Sequence, residues 1–354
     1  MKHRHLLSAA AATLTLAFAV ALLLPSPAAG QHVLKSGEAA VEIAGDKAPA
    51  KPYVVKKTPD GVPDLQGYWT NNTIIPLQRP NGVTKEFYTP DEARAAAKRQ
   101  ADRDEEQTTP GTTADVHYDF TQFGLDKSQT VLTGNLRTSI ITTPANGKIP
   151  PFTPDGQKRA AERQAEQNRL RGIQYDQVQN IVIGSRCIYQ GAGPPMLPPG
   201  YNPGYQIVQG KDVVMILIEA GHEVRVIPTD PRAHAPEAVR EWLGDSRGHW
   251  EGNTLVVETT NFNGRVAFQG SSPNLKVTER FTRTDEDTIK YEFTINDPAT
   301  WEQSWGGELP FTKMDGPIFE HACHEGNYGI ANTLAGVRLA EKRAAEEAAK
   351  KGGK

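Results

Sequence analysis

Between residues 180 and 322 the chain is a succession of short runs rich in Val, Ile, Thr and Phe, separated at close spacing by turn residues. That texture predicts an antiparallel β meander. Thr288–Asn296 alternates cleanly, with Ile289, Tyr291, Phe293 and Ile295 on one face and Thr288, Lys290, Glu292 and Thr294 on the other, so one face of this strand is wet. In Asp212–Glu219 both Val213/Met215/Leu217 and Val214/Ile216/Ile218 are apolar, which predicts cover on both sides. Hairpins are expected where runs flank Gly210-Lys211, Ala220-Gly221 and Gly252-Asn253, and where 275–284 meets 288–296 across an acidic turn.

Ahead of the meander, two helices are marked by matching starts. Tyr88-Thr89-Pro90-Asp91 and Phe152-Thr153-Pro154-Asp155 each set a Thr N-cap before a Pro at the first helical position. The Ala- and Arg-rich residues that follow read as surface helices. After Tyr328 the chain turns helical again, with Glu346/Lys350 and Glu347/Lys351 as i,i+4 pairs on an Ala-rich tail.

The N-terminus carries Lys2 and Arg4, an apolar stretch from Leu6 to Leu24, then Pro25, Pro27 and the small residues Ala28-Ala29-Gly30. This is the order of a secretory signal cut before Gln31. An uncleaved anchor is the rival reading, and the two prolines and missing basic flank count against it. The expected organisation is therefore a signal peptide over 1–30, a disordered leader over 31–60, a strand plus two helices packing on the β domain over 61–179, the meander over 180–328, and a C-terminal helix and tail over 329–354. A periplasmic or secreted protein lives in an oxidising compartment, where the two cysteines, Cys187 and Cys323, are expected to form a bridge. The balance of 39 Lys+Arg against 42 Asp+Glu, net −3, favours neither nucleic acid nor an anionic membrane surface. No stable membrane insertion is expected after cleavage.

Several motifs invite chemistry. Gly244-Asp245-Ser246-Arg247-Gly248 satisfies G-x-S-x-G, but a nucleophile elbow needs a strand before the Ser and a helix after it, and here a β hairpin follows. His321-Ala322-Cys323-His324-Glu325 matches no zinc spacing and reads as structure beside the disulfide. The Pro-rich segment Gly191–Gly200 is an ordered loop, either a lid or a connector, that carries Met196 and Leu197. No phosphate-cradling loop, dinucleotide fingerprint or metal cluster is read, so no cofactor is expected.

The sharpest constellation comes from strand geometry. With Ala220-Gly221 as a two-residue loop, Glu219 and His222 oppose one another and share a face with Met215, Leu217, Val224 and Val226, at the rim of an apolar surface. Glu279 shares a face with Leu275, Val277 and Phe281 and is expected in the core, whereas Arg225 and Arg280 are expected to face away. Glu219, His222 and Glu279 are therefore the candidate acid–base groups. Met196, Trp250 and Tyr291 are the candidates for lining a ligand pocket.

The segments Gly244-Asp245-Ser246-Arg247-Gly248-His249-Trp250-Glu251-Gly252, Glu279-Arg280-Phe281-Thr282-Arg283 and Ala322-Cys323-His324-Glu325-Gly326-Asn327-Tyr328 resemble those of an uncharacterised family of secreted bacterial proteins, over most of the chain from Pro63 to about Arg343. That resemblance implies export and carries no activity. At the level of fold, Gly67-Tyr68-Trp69 followed by a meander is similar to lipocalin-like barrels, although two helices and long loops intervene here. The expected architecture is mainly β, an up-and-down meander forming a lipocalin-like barrel or sandwich, with peripheral helices and a C-terminal helix. The leading expectation for function is extracytoplasmic binding of a small apolar or aromatic molecule. The alternatives are a cofactor-independent lyase, isomerase or hydrolase using Glu219 and His222, and a structural or partner-binding envelope protein.

Overall fold

Most strands of the meander bury one phase of their alternation, and the buried phases meet in one core. The computed structural model describes residues 53–104 and 136–352 apart from 74, 192, 200 and 201. The signal segment 1–30 and most of the leader lie outside the described residues. The strands are β1 (Gly67–Thr70), β2 (Ile141–Thr143), β3 (Gly204–Gly210), β4 (Val213–Ile218), β5 (Glu223–Pro228), β6 (Asp245–Glu251), β7 (Thr254–Thr260), β8 (Lys276–Arg283), β9 (Thr288–Asn296) and β10 (Trp305–Lys313). They form one sheet in the order β5-β4-β3-β1-β10-β9-β8-β7-β6, with β2 added to β10. The fold is mainly β, and the nine-strand antiparallel sheet is nearly closed into a barrel.

Closure stops short of a hydrogen-bonded ring for a topological reason. Along a path of nine strands that alternate in direction, the first and last point the same way, so β5 and β6 run parallel where they meet. No backbone ladder joins them. Side chains close the seam instead: Arg225 of β5 donates to Ser246 Oγ of β6 at 3.3 Å. A Cβ on Gly248 of β6 would lie 2.9 Å from Ile227 Cγ2, so the close approach requires glycine.

Long loops gather at the end where β3, β5, β6, β8 and β10 begin, while two-residue turns at Lys211-Asp212 and Gly252-Asn253 help close the other end. Inside, aromatic rings interlock. Tyr205, Phe281 and Tyr291 all pack within 6.2 Å of the Phe311 or neighbouring ring centroids. At the turn-bearing end Arg283 lies over the Trp69 ring at 5.3 Å, and Trp69 Nε1 donates to Leu65 O at 3.0 Å.

The helices are α1 (Pro90–Asp104), α2 (Pro154–Gly172) and α3 (Tyr328–Gly352). Thr89 and Glu92 cap α1 reciprocally, the Thr89 N–H donating to Glu92 Oε2 at 2.8 Å and the Glu92 N–H to Thr89 Oγ1 at 3.3 Å. Thr153 Oγ1 accepts from the Gly156 N–H at the start of α2. Cys187 and Cys323 form the expected disulfide, joining the segment before β3 to the segment after β10 across 136 positions.

Two expectations need correction. The β4–β5 hairpin has the expected register, with Leu217 opposite Val224 and Met215 opposite Val226, but the face assigned to the interior is the outer one. Met215, Val224 and Val226 are exposed, while Arg225 and Ile227 point inward. The outer face of β4, expected to be covered, is therefore open among the described residues.

Candidate functional site

The interior contains a charged pair where the strand pattern alone would place apolar side chains. Val257 of β7, Glu279 of β8 and Phe293 of β9 form one inward row, so Glu279 has no route to water and its side chain is 0 % exposed. Its partner comes from across the seam. The Arg225 guanidinium grips the carboxylate with two bonds, Nη1 to Oε1 at 3.0 Å and Nη2 to Oε2 at 2.5 Å. Burial pulls the Arg225 pKa down, and the Glu279 charge and hydrogen bonds more than offset this, so the guanidinium stays charged. Ser246 Oγ and Thr259 Oγ1, 2.9 Å apart, also accept from Arg225 Nη2. Bidentate geometry with extra hydroxyl contacts is what a buried ion pair needs to tolerate desolvation.

Tyr291 links this pair to the Pro-rich loop. Its hydroxyl donates to Glu279 Oε1 at 2.8 Å and accepts from the Met196 N–H at 2.7 Å. Burial, then the Glu279 charge, raises its pKa well above the usual tyrosine value, so it remains a donor. Asn71 Nδ2 holds the next peptide, donating to Met196 O at 2.9 Å. The Met196 side chain is fully buried in the core. The Gly191–Gly200 loop is thus neither a free lid nor a passive connector: at Met196 it enters the barrel interior and is hydrogen-bonded to the charged cluster.

Among the described residues, Arg225 Nε, Tyr205 Oη and Asn71 Oδ1 have no partner of ordinary hydrogen-bond geometry. Burial raises the Tyr205 pKa, against the weaker opposing pull of the Asn71 side chain and Arg225. All three residues are buried. Unpaired buried groups of this kind are uncommon and costly.

The other candidates sit elsewhere. Glu219 precedes, and His222 ends, a single 3-10 turn, Ala220–His222, in which Gly221 and His222 both adopt positive φ. Glu219 is buried over Gly204, where a Cβ would come within 2.4 Å of Oε2, and Oε1 accepts from the Phe319 N–H at 3.1 Å. His222 is exposed, with Nδ1 3.2 Å from His321 O, and His321 Nδ1 accepts from the Gly221 N–H at 2.8 Å. Both expected acid–base groups therefore bond to the segment after β10, and only Glu279 of the three joins the interior cluster. Of the expected pocket residues, Met196 and Tyr291 belong to it. Trp250 lies one residue from the end of β6, near its tight turn, partly buried against the core.

Ser246 lies within β6 and faces Thr259 and Arg225, not at an elbow. Among the described residues no group of three or more His, Cys, Asp or Glu is placed to hold a metal ion. Sequence reasoning missed Arg225, Asn71 and Tyr205. A signal for Arg225 was available in β3: Tyr205 and Ile207 mark its inner face against Gln206, Val208 and Gly210, and following Ile207 across to Ile216 and then Arg225 turns the arginine inward. Compared with protein-family models, curated proteins and solved structures, the chain matches none.

Proposed function

We propose that the protein is an extracytoplasmic binder of a small, largely aromatic or apolar molecule, taken into the barrel at the place the buried Met196 side chain fills. One observation carries this reading: the Tyr291 hydroxyl is shared between Glu279 and the backbone of Met196, so the plug is latched to the interior cluster. A plug held by backbone hydrogen bonds at one loop residue can leave without unfolding the barrel. A core residue anchored in a strand cannot. The aromatic rings of Tyr205, Phe281, Tyr291 and Phe311 would then line the vacated space. Export would place this binding outside the cytoplasm, in keeping with the Cys187–Cys323 bridge. The acid–base reading with Glu219 and His222 receives no geometric support, because those side chains bond away from the cluster.

The test is a thermal-shift screen of small aromatic and alicyclic compounds on the mature chain and on Met196→Ala. A plug competes with the ligand for one space, so truncating it raises the apparent affinity even as it lowers stability by about 2–5 kcal/mol. An ordinary pocket-lining residue behaves oppositely. Saturable upshifts that grow tighter in Met196→Ala support the proposal. A diverse screen that shifts neither protein overturns it.

A further inference from the structure

The β4–β5 turn and the irregular segment after β10 meet away from the interior cluster, at the end of the barrel where β5 begins. We propose that they form a pH-operated clasp, shut by the Gly221 N–H on His321 Nδ1 and released when that nitrogen takes a proton. The clasp works whether or not the barrel holds a ligand.

Residues 314–322 form a strap without helix or strand between the end of β10 and the Cys187–Cys323 bridge. Three bonds fasten it to the turn. The Phe319 N–H donates to Glu219 Oε1 at 3.1 Å, His222 Nδ1 donates to His321 O at 3.2 Å, and the Gly221 N–H donates to His321 Nδ1 at 2.8 Å. The turn is shaped to present these groups. Gly221 and His222 have φ of 76° and 46°, and a Cβ on Gly221 would lie 2.6 Å from Gln190 Cγ, so only glycine fits there. Because β10 and the bridge hold both ends of the strap, its release is a local event.

The two histidines answer a proton in opposite ways. A carbonyl oxygen only accepts, so His222 Nδ1 carries a hydrogen, and it still carries one in the imidazolium. A backbone N–H only donates, so His321 Nδ1 presents its lone pair and the ring hydrogen sits on Nε2. Protonating His321 sets two donors 2.8 Å apart, and the bond becomes a repulsion. The titratable and charged groups around it are Glu219, His222 and Glu223 on the turn, Asp315, Glu320, His324 and Glu325 along its own segment, and Arg186 beside Cys187. The His222 and His324 rings lie 6.5 Å apart, so charging them in acid adds repulsion at the same place. The carboxylates favour an imidazolium, but their attraction does not return the lost acceptor. Glu219 and Glu223 do not switch in this way, because a carboxyl oxygen accepts from an N–H in either protonation state, and Glu223 bonds to Gln190 and not to the strap. Opening therefore takes up a proton. The closed clasp is favoured above the range in which imidazoles titrate and loses ground as pH falls through it.

Hydrogen exchange on the mature, disulfide-intact chain reads the clasp directly. Between pH 8 and pH 5, protection of the Gly221 and Phe319 amides, corrected for intrinsic exchange, is expected to fall at least about tenfold, while the amides of β8 and β9 stay protected. Nitrogen NMR of the histidine rings is expected to show His321 as the Nε2–H tautomer at pH 8. His321→Asn offers an oxygen acceptor that takes no proton in this range, and should abolish the pH dependence at Gly221. His222→Asn keeps a side-chain donor and tolerates positive φ, and should leave that dependence in place. An Nδ1–H tautomer of His321 at pH 8, or protection at Gly221 that stays constant while the His321 ring titrates, overturns the proposal. So does a pH response that survives in His321→Asn, which would assign it to His222, His324 or Glu223, or one that is lost in His222→Asn.

Discussion

Two regions of the same barrel solve burial in opposite ways. In β8 and β9 the inner face is apolar apart from Glu279, the Tyr291 hydroxyl and, at the turn-bearing end, Arg283, and the outer face is a polar ladder in which Lys290 pairs with Glu292 and Arg280 reaches Glu251 on β6. In β4 and β5 the inner face holds Arg225, and the outer face exposes Met215, Val224 and Val226. The difference shows that facing is decided over the whole ring and not strand by strand. A valine left outside forgoes about 1.5–3 kcal/mol of burial. Removing Arg225 from the interior would strand Glu279, a larger loss.

That coupling is open to direct attack. Glu279→Ala leaves the Arg225 guanidinium buried without its partner and should destabilise the protein by about 3–5 kcal/mol in urea titrations. The double variant Arg225→Met with Glu279→Leu should recover most of that loss, since it removes both charges and keeps the volume. If the single variant costs less than a typical surface substitution, the guanidinium reaches water and the two regions are independent. The next effect lies at the latch. Tyr291→Phe takes a donor from Glu279 and an acceptor from the Met196 N–H, and should cost about 1.5–3 kcal/mol. Faster amide exchange at 194–197 than in the neighbouring strands would locate the loss in the plug. Uniform exchange would mean that the loop is part of the rigid core.

These two regions also show why only part of the molecule was legible in advance. Alternation in Thr288–Asn296 and the caps at Thr89 and Thr153 are local, and they are seen as read. Register across the β4–β5 turn is local too, and it was legible. Facing in β4 is not, because Val213/Met215/Leu217 and Val214/Ile216/Ile218 are equally apolar and neither set outranks the other. The choice follows from the pattern of neighbouring β3, carried through two registers, and from Glu279 across the seam, 54 positions from Arg225. The Met196 plug was illegible for a related reason. Nothing in Gly191–Gly200 announces a hydroxyl on β9 as its anchor.

A smaller effect tests the boundary between the regions at the start of β5. Glu223 is partly buried, accepts from the Gln190 N–H at 3.3 Å, and leaves Oε2 without a partner among the described residues. Burial raises its pKa to about 7, against the weaker opposing pull of the Gln190 N–H and His222. The folded chain therefore keeps a proton that the unfolded chain releases above its ordinary carboxylate pKa. Glu223's contribution to stability is fully present below about pH 4.5, declines as pH rises toward 7, and is level above that. Glu223→Gln should match wild type near pH 4.5 and exceed it at pH 8 by about 1–2 kcal/mol, after discounting for partial exposure. Equal differences between variant and wild type at both pH values would show that the carboxylate is solvated.

The smallest effect is the sharpest test of facing. Val224 and Val226 are 50 % and 54 % exposed, and by the burial rule an exposed β-branched residue exchanged for Thr keeps strand propensity and changes little. Val226→Thr should shift stability by less than about 0.5 kcal/mol. The inward Ile227→Thr, one residue along the same strand, places a hydroxyl in the core and should cost several times more. Comparable losses at the two positions would mean that Val226 is covered in solution. The outer face of β4 and β5 would then be an interface, and its exposed valines would no longer count as the cost of turning Arg225 inward.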